Sequence, residues 1–281
     1  MPPINDATPQ PEHRSATPFI DSDHPAIQAF ANLHTQGAAN NRERAVALTL
    51  AVRDGVRYDP YHIDLSPYGM RASTALLQTH GWCVPKAVLL AAVCRAAGIA
   101  ARLGFADVRN HLSTERMRQT MKTDVFAWHG YTEIWLNGAW RKATPAFNRS
   151  LCDRFGLQPL DFDGVHDSLY HPFDRQGQRH MEYLRQRGSF NDLPLADIKA
   201  TFQELYGNGL STGAPLAGLS QAGFQQDVDA EVAPLLRPSP PDAAAHRRLH
   251  TPASPEPAPS ASAARPVLPS PPAPAPGHPY Y

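Results

Sequence analysis

Apolar residues recur at helical spacing in the first third of the chain. The pattern predicts a short helix over residues 27–33 and a longer one that begins near Asn41, a capping residue, and reaches Val56. A third short helix is predicted over residues 73–79, ending before Gly81. The first part of the chain is therefore expected to be helical.

Residues 84–97 give the clearest helical signal. Their apolar side chains occupy almost every face, which is typical of a helix in the middle of a core. Pro85 suits the first turn of this helix, and Gly98 suits its C-terminal cap. We therefore expect this helix to be buried on all sides.

Strands are predicted over residues 99–108, 126–135 and 139–144. Asn137-Gly138 joins the last two and is a strong hairpin signal. A two-residue turn there pairs Tyr131 with Thr144 and brings His129 diagonally across from Thr144. Further helices are predicted near residues 149–155, 177–187 and 195–206.

Proline divides the chain unevenly, since more than half of its 29 prolines follow Leu210. The composition predicts a flexible arm over residues 1–24, one α+β domain over residues 25–206, and a disordered Pro/Ala/Ser-rich tail over residues 207–281. A partner that recognises proline-rich segments is one candidate ligand of the tail.

Charge and cysteine content limit the classes of function. The 26 basic and 26 acidic residues balance, so no nucleic acid is expected as a partner. Lys86 and Arg95 interrupt the most apolar run, and residues 1–15 show no apolar leader core, so no membrane span or signal peptide is expected. The three cysteines fit a reducing compartment, which favours a cytoplasmic protein.

Cys83 stands at the start of the predicted central helix. Free backbone N–H groups at a helix N-terminus favour a thiolate, so a lowered thiol pKa is expected there. The alternative is that Cys83 is a small buried residue like Cys94 and Cys152. His129 opens a predicted strand and would supply the base that a nucleophilic thiol needs.

Two blocks resemble the transglutaminase-like superfamily, a papain-related group of thiol enzymes. One block, GWCVPKAVLL continuing to RAAGIAAR, lies in residues 81–102; the other, HGYTEIWLNGAW, spans residues 129–140. The resemblance implies a papain/transglutaminase-like domain, with the nucleophile on a central buried helix packed against a small antiparallel sheet. It also implies Cys83 as nucleophile and His129 as base.

The third position of the family's triad departs from the pattern. The family usually has Asp before a proline, and Thr144 stands there in this chain. A threonine hydroxyl accepts one hydrogen bond but adds no charge. Asn148 is the alternative orienter of the imidazole. Three acidic residues could substitute for the missing aspartate but are expected to be structural or on the surface: Glu133, Asp161 and Asp163.

The oxyanion would be stabilised by the backbone N–H of Cys83 and one further donor. The Trp82 indole is the first candidate for that donor, and Tyr58 and Tyr68 are the others. Arg102 is expected to form a structural ion pair. No phosphate-binding loop is visible, so no cofactor is expected.

Histidine spacing does not favour a zinc site at His62, His80 or His111. Four residues form a His/Asp-rich segment: His166, Asp167, His171 and Asp174. We expect this segment to be a polar loop over the cleft and not a metal site, so no metal is expected. Residues 180–183 are expected to form a packed face of the helix predicted near residues 177–187, and not a metal site.

The predicted reaction is acyl transfer to a thiol, with a peptide or protein amide as substrate and hydrolysis favoured over transamidation. The main alternative is a catalytically degenerate domain that binds peptides in the same cleft. A metal-dependent hydrolase at the His166/His171 loop is the third possibility. The reactivity of the Cys83 thiol distinguishes the first two.

Overall fold

A fully buried helix forms the centre of the fold. The structure is a computed structural model that describes residues 1–110, 113–169, 177, 181–207 and 223–232. Its helices, in chain order, are α1 (Pro25–His34), α2 (Asn41–Gly55), α3 (Ala72–Gln78), α4 (Cys83–Ala96), α5 (Glu115–Met121), α6 (Arg149–Phe155), α7 (Leu195–Tyr206) and α8 (Phe224–Val232). Helix α4 packs against α1, α2 and α3 on one side and against the main sheet on the other.

The main sheet has four antiparallel strands. Counting the main sheet and a smaller pair together, the strands of the described residues are, in chain order, β1 (Arg57–Tyr58), β2 (His80–Gly81), β3 (Ala101–Asn110), β4 (Val125–Leu136), β5 (Ala139–Ala143) and β6 (Met181–Phe190). Strands β5, β4, β3 and β6 follow one another across the main sheet, while β1 and β2 form a small parallel pair. The α+β architecture and the central buried helix agree with the sequence prediction.

The predicted hairpin register is confirmed. Thr132 pairs with Ala143 and Leu136 pairs with Ala139, the same register that a two-residue turn at Asn137-Gly138 imposes. Both turn residues have positive φ, 51° and 84°. This is the left-handed backbone that Asn and Gly tolerate best in a two-residue hairpin turn.

The helix predicted near residues 177–187 is wrong over its described part. Residues 181–187 lie in β6, which pairs with β3 along nearly its whole length. Pairing with β3 satisfies the backbone of this segment, and such tertiary pairing overrides a weak local helical pattern. Residues 178–180 lie outside the described residues.

The N-terminal segment differs from the predicted flexible arm. Ile4 bridges to Ser189 at the edge of β6, and the side chains of His13 and Ile20 are fully buried. Arg95 donates a hydrogen bond to the carbonyl of Ser15 at 2.7 Å. This polar, proline-rich segment is thus held by contacts with the sheet edge and with α4.

Helix α8 lies within the segment where composition predicts a disordered tail. Phe224 and Val228 on this helix are buried, so packed structure extends beyond residue 206. Most of the predicted tail, residues 208–222 and 233–281, lies outside the described residues. Among the residues described, no helix has both the length and the apolarity that crossing a bilayer requires.

Lys86 joins α4 to the end of α2. Its side chain is completely buried, and Nζ donates to the carbonyl oxygens of Arg53, at 2.8 Å, and of Val56. These carbonyls lie at the C-terminus of α2, where backbone acceptors lack intrahelical partners. Burial lowers the pKa of Lys86 from 10.5 to about 7.

This pKa predicts a pH-dependent contribution to stability. Between pH 7 and 10.5, the unfolded chain holds the Lys86 proton and the folded chain has released it. Stability therefore rises with pH in this window, by up to ~1.4 kcal/mol per pH unit. We expect urea unfolding between pH 7 and 10.5 to show this rise in the free energy of unfolding for the wild type and not for Lys86→Met. Parallel stability curves would contradict the assignment.

Candidate active site

Cys83 is the first residue of α4. Trp82 precedes it as the N-cap residue with an extended backbone, and Gly81 ends strand β2 just before. Cys83 is 8% exposed, whereas Cys94 and Cys152 are fully buried. The buried helix therefore presents the Cys83 thiol at its N-terminal end, as the sequence predicted.

His129 lies on β4 directly after a backbone irregularity. The register between β3 and β4 shifts between Ala106 and Val108, and Trp128 has a φ of +60°. A non-glycine residue in the left-handed region is unusual, and bulges of this kind redirect the neighbouring side chains. His129 itself is buried.

Asp107 and Arg187 hold this bulge in place. The Trp128 backbone N–H donates to the Asp107 carboxylate at 3.1 Å, and Arg187 donates to the same carboxylate at 2.5 Å. The Arg187 guanidinium also lies over the Trp128 ring, 4.6 Å from its centroid. Two strands, β3 and β6, thus fix the backbone conformation that precedes His129.

Cys83 and His129 line the same small cavity of about 40 Å³. The backbone N–H of Gly130, the residue after His129, also donates to the Cys83 thiol. The remaining lining residues are mostly apolar: Tyr58, Pro60, Ile63, Trp82, Met117, Met121, Phe126, Ala127, Phe202 and Tyr206. The structure therefore brings the two predicted catalytic residues to one enclosed, largely apolar space.

The prediction of a lowered thiol pKa is wrong. Burial raises the pKa of Cys83 to about 11, although the backbone N–H groups of Gly130, Val84 and Cys83 itself act in the opposite direction. The cost of placing a thiolate in a closed apolar cavity exceeds the stabilisation from the helix N-terminus. The thiol is neutral at pH 7 in this closed form, and its ionisation requires a base inside the cavity.

Thr144 follows the last residue of β5 and is buried. Its Oγ1 has no hydrogen-bond partner in the part of the chain that the structure describes. The confirmed hairpin register places Thr144 beyond the Thr132–Ala143 pair, in line with the predicted diagonal relation to His129. The hydroxyl is thus buried without a described bond of its own, and Thr144 is not among the residues that line the Cys83 cavity.

Asn148 has a different set of partners. Its Oδ1 accepts a hydrogen bond from the Tyr58 backbone N–H at 3.2 Å, and its Nδ2 donates to Ser150 at 2.8 Å. The amide therefore ties the start of α6 to β1. These contacts position Tyr58, a wall of the cavity, and show no link to His129.

Two of the three candidate oxyanion donors lie at the Cys83 cavity, and the third does not. Trp82 and Tyr58 both line the Cys83 cavity, and the Trp82 ring packs 5.9 Å from that of Phe202. Burial, together with the nearby Cys83, raises the pKa of Tyr58 well above its usual value, so its hydroxyl keeps its proton. Tyr68 is 63% exposed and is not among the residues that line the cavity.

The expected structural ion pair of Arg102 is confirmed. Arg102 donates to Glu133 at 2.5 Å, and Ser189 donates to the same carboxylate at 2.9 Å. Both charged side chains are buried. Glu133 therefore links three strands, β3, β4 and β6. This agrees with the structural role expected for both Arg102 and Glu133.

The two aspartates near the candidate triad in sequence, Asp161 and Asp163, make contacts elsewhere. Asp161 pairs with Arg53 at 2.7 Å and with Arg149 at 3.1 Å. Asp163 accepts hydrogen bonds from the backbone of Val165 and His166 and from the His166 ring. Neither aspartate lines the Cys83 cavity.

The described histidines and carboxylates form no group of three that could hold a metal ion. His62 hydrogen-bonds to Asp59 at 2.9 Å, and its ring lies 5.3 Å from that of His80. Asp167 accepts a hydrogen bond from the Lys142 backbone. Four residues named in the sequence analysis lie outside the described residues: His111, His171, Asp174 and His180.

The sequence did not reveal what closes the cavity. Tyr206 on α7 accepts a hydrogen bond from the Ala127 N–H at 2.7 Å and donates to the Val125 carbonyl at 3.0 Å. Phe202, one turn earlier, packs against Trp82. The apolar stripe at Ile198, Phe202 and Tyr206 shows that α7 needs a partner, but not that the partner is the Cys83 cavity.

Comparison with known proteins gives one family match and distant structural likenesses. Residues 27–145 match the family model of the transglutaminase-like superfamily, a range that includes Cys83, His129 and Thr144. None of the curated proteins matches the chain.

Two solved structures are similar to parts of this chain at low sequence identity. A protein named "Putative Cysteine Protease" from Cytophaga hutchinsonii is 20% identical, with a TM-score of 0.37; the match covers 47% of this chain and 40% of that one. A "putative protease" from Parabacteroides distasonis is 17% identical, with a TM-score of 0.31, covering 42% and 22%. This chain thus spans less than half the length of either protein. The family likeness therefore covers residues 27–145 of this chain, which match the model of the transglutaminase-like superfamily.

Proposed function

We propose that the chain is a thiol-dependent amide hydrolase with Cys83 as nucleophile and His129 as base. The observation that carries the proposal is that both residues line one enclosed cavity, with the Gly130 N–H on the Cys83 thiol. The superfamily match over residues 27–145 supports the same pair. The proposed substrate is a peptide or protein amide.

The reaction proceeds in two halves. His129 takes the proton of the Cys83 thiol, and the sulfur attacks the carbonyl carbon of the amide. The negative oxygen is held by the Cys83 backbone N–H and by the Trp82 indole or Tyr58 hydroxyl. The C–N bond then breaks, and His129 returns the proton to the leaving amine, which leaves a thioester on Cys83.

Hydrolysis completes the cycle. Water loses a proton to His129 and attacks the thioester, and the carboxylic acid leaves as the thiol regains its proton. The cavity of about 40 Å³ has room for roughly three water molecules. We propose water as the acyl acceptor, because it is always available at the site.

A second function has its own support. The pKa of Cys83 is raised to about 11, and a threonine stands where the family usually has aspartate. Both features fit a degenerate site that binds peptides without cleaving them. The two functions differ in the reactivity of the Cys83 thiol, because a binding module does not need a thiolate.

Removing the proposed nucleophile is the direct test. Cys83→Ala is expected to lower hydrolysis of a panel of peptide and isopeptide amides by about a thousandfold or more, because the covalent step is lost. Cys94→Ala, which removes a fully buried thiol of the same helix, serves as the matched control and is expected to retain activity.

Alkylation of the thiols by iodoacetamide at neutral pH separates the two functions. Cys83 is expected to react faster than Cys94 and Cys152 in the folded protein, since it is the least buried of the three and adjoins His129. Equal rates for all three cysteines would exclude the hydrolase and favour the binding module.

Thr144 offers a test of the orienting position. Its Oγ1 makes no described hydrogen bond, so Thr144→Val is expected to leave the free energy of unfolding nearly unchanged. If Thr144 orients His129, loss of its hydroxyl is expected to lower kcat about tenfold with little change in KM.

The complementary substitution is Thr144→Asp. A carboxylate at this position stabilises the imidazolium and is expected to speed Cys83 alkylation at neutral pH. Wild-type kcat in Thr144→Val together with an unchanged alkylation rate in Thr144→Asp would show that Thr144 does not act on His129.

A further inference from the structure

A second cavity adjoins the Cys83 cavity and shares part of its wall. It measures about 20 Å³, and Tyr58, Pro60, Met117 and Phe126 line both spaces. Its other walls are mostly apolar and include three phenylalanines, Phe147, Phe155 and Phe224. We refer to the space bounded by Tyr58, Pro60, Met117, Phe126 and Phe147 as the aromatic groove.

Phe224 of helix α8 closes one side of this groove. Its side chain is 7% exposed, and its ring meets those of Tyr58 and Tyr61 edge-on, with centroids 5.8 and 5.3 Å apart. The Tyr58 ring also meets that of Phe147 at 4.7 Å. Because Tyr58 lines the Cys83 cavity, a single side chain separates Phe224 from the cavity of the nucleophile.

Three acidic residues hold α8 in place. Asp227 accepts hydrogen bonds from Arg116 at 2.7 Å and from Tyr61 at 2.8 Å. Asp229 pairs with Arg154 at 2.5 Å, and Glu231 accepts from the Glu115 backbone N–H at 2.7 Å. These contacts fix the helix to α5 and α6.

The helix depends on these contacts for its structure. It has nine residues, and isolated helices of that length are not stable in water. Its ion pairs lie at the protein surface, where each contributes little and is screened by salt. The attachment of helix α8 therefore depends mainly on the buried side chains of Phe224 and Val228.

We propose that α8 is an internal plug that occupies the substrate groove beside Cys83, and that the groove binds peptides with an aromatic side chain followed by carboxylates. The aromatic groove would accept the ring of the peptide, as it contacts Phe224 in this structure. Arg116 and Arg154 would bind its carboxylates, as they bind Asp227 and Asp229. This inference rests on the proposed function, since it names the substrate class and the regulation of the same site.

Access to Cys83 in the full chain tests the plug. Phe224→Ala removes the ring from the groove, and Asp227→Asn keeps the size of the side chain while weakening the contact with Arg116. Phe224→Ala is expected to speed Cys83 alkylation about tenfold or more, because a buried phenyl ring stabilises docking by at least that factor. A smaller acceleration is expected for Asp227→Asn.

The control is Gln226→Ala, on the exposed face of the same helix, which is expected to alkylate at the wild-type rate. Cys94 and Cys152 report on unfolding in every variant, because both are fully buried and react only if the fold opens. Wild-type alkylation rates of Cys83 in both Phe224→Ala and Asp227→Asn would overturn the plug.

Binding in trans tests the groove without requiring activity. The probe is a fluorescent peptide with the sequence FQQDVDAEV, and its partner probe has Ala in place of the first residue. In a Cys83→Ala background, the Phe224→Ala protein is expected to bind the first probe at least about tenfold more tightly than the Cys83→Ala protein alone does. The partner probe is expected to bind weakly to both.

Equal affinity for the two probes, or equal affinity of the two proteins for the first, would overturn the inference. Either result would leave the proposed function intact, since binding is measured without the nucleophile. Conversely, full hydrolytic activity in Cys83→Ala would refute the proposed function whatever the probes show.

Discussion

The burial of helix α4 is the constraint on which the rest of the structure depends. A helix that is apolar on every face must be covered on every face, and here α1, α2 and α3 cover one side while the main sheet covers the other. This fixes the position of its N-terminus against β4, where the Gly130 N–H reaches the Cys83 thiol. The site therefore follows from core packing and not from a mobile loop.

The same burial sets the chemistry of the site. A helix N-terminus alone would favour a thiolate, yet the apolar walls supplied by α5 and α7 raise the thiol pKa instead. A thiol in such a position stays protonated at neutral pH unless its surroundings change. Tyr206, which bonds to the backbone of β4, holds α7 against this cavity.

Much of the framework could be predicted from the sequence because its signals are local. The apolar run of α4 and the Asn137-Gly138 turn each specify one structure, and the turn fixes the register that places Thr144 relative to His129. Strand β6 could not be predicted in this way, because its conformation comes from pairing with β3. The raised pKa of Cys83 depends on residues distant in sequence, such as Phe202 and Tyr206, that only the folded chain assembles.

The bulge at Trp128 has a consequence for how much of the chain the site needs. The backbone before His129 is held by Arg187, which lies on β6, well past the residues that match the family model. A fragment that ended near residue 145 would keep the family's sequence motifs and lose the clamp that aims the imidazole. The smallest autonomous unit of this site therefore extends at least to Phe190, the end of the strand that carries the clamp.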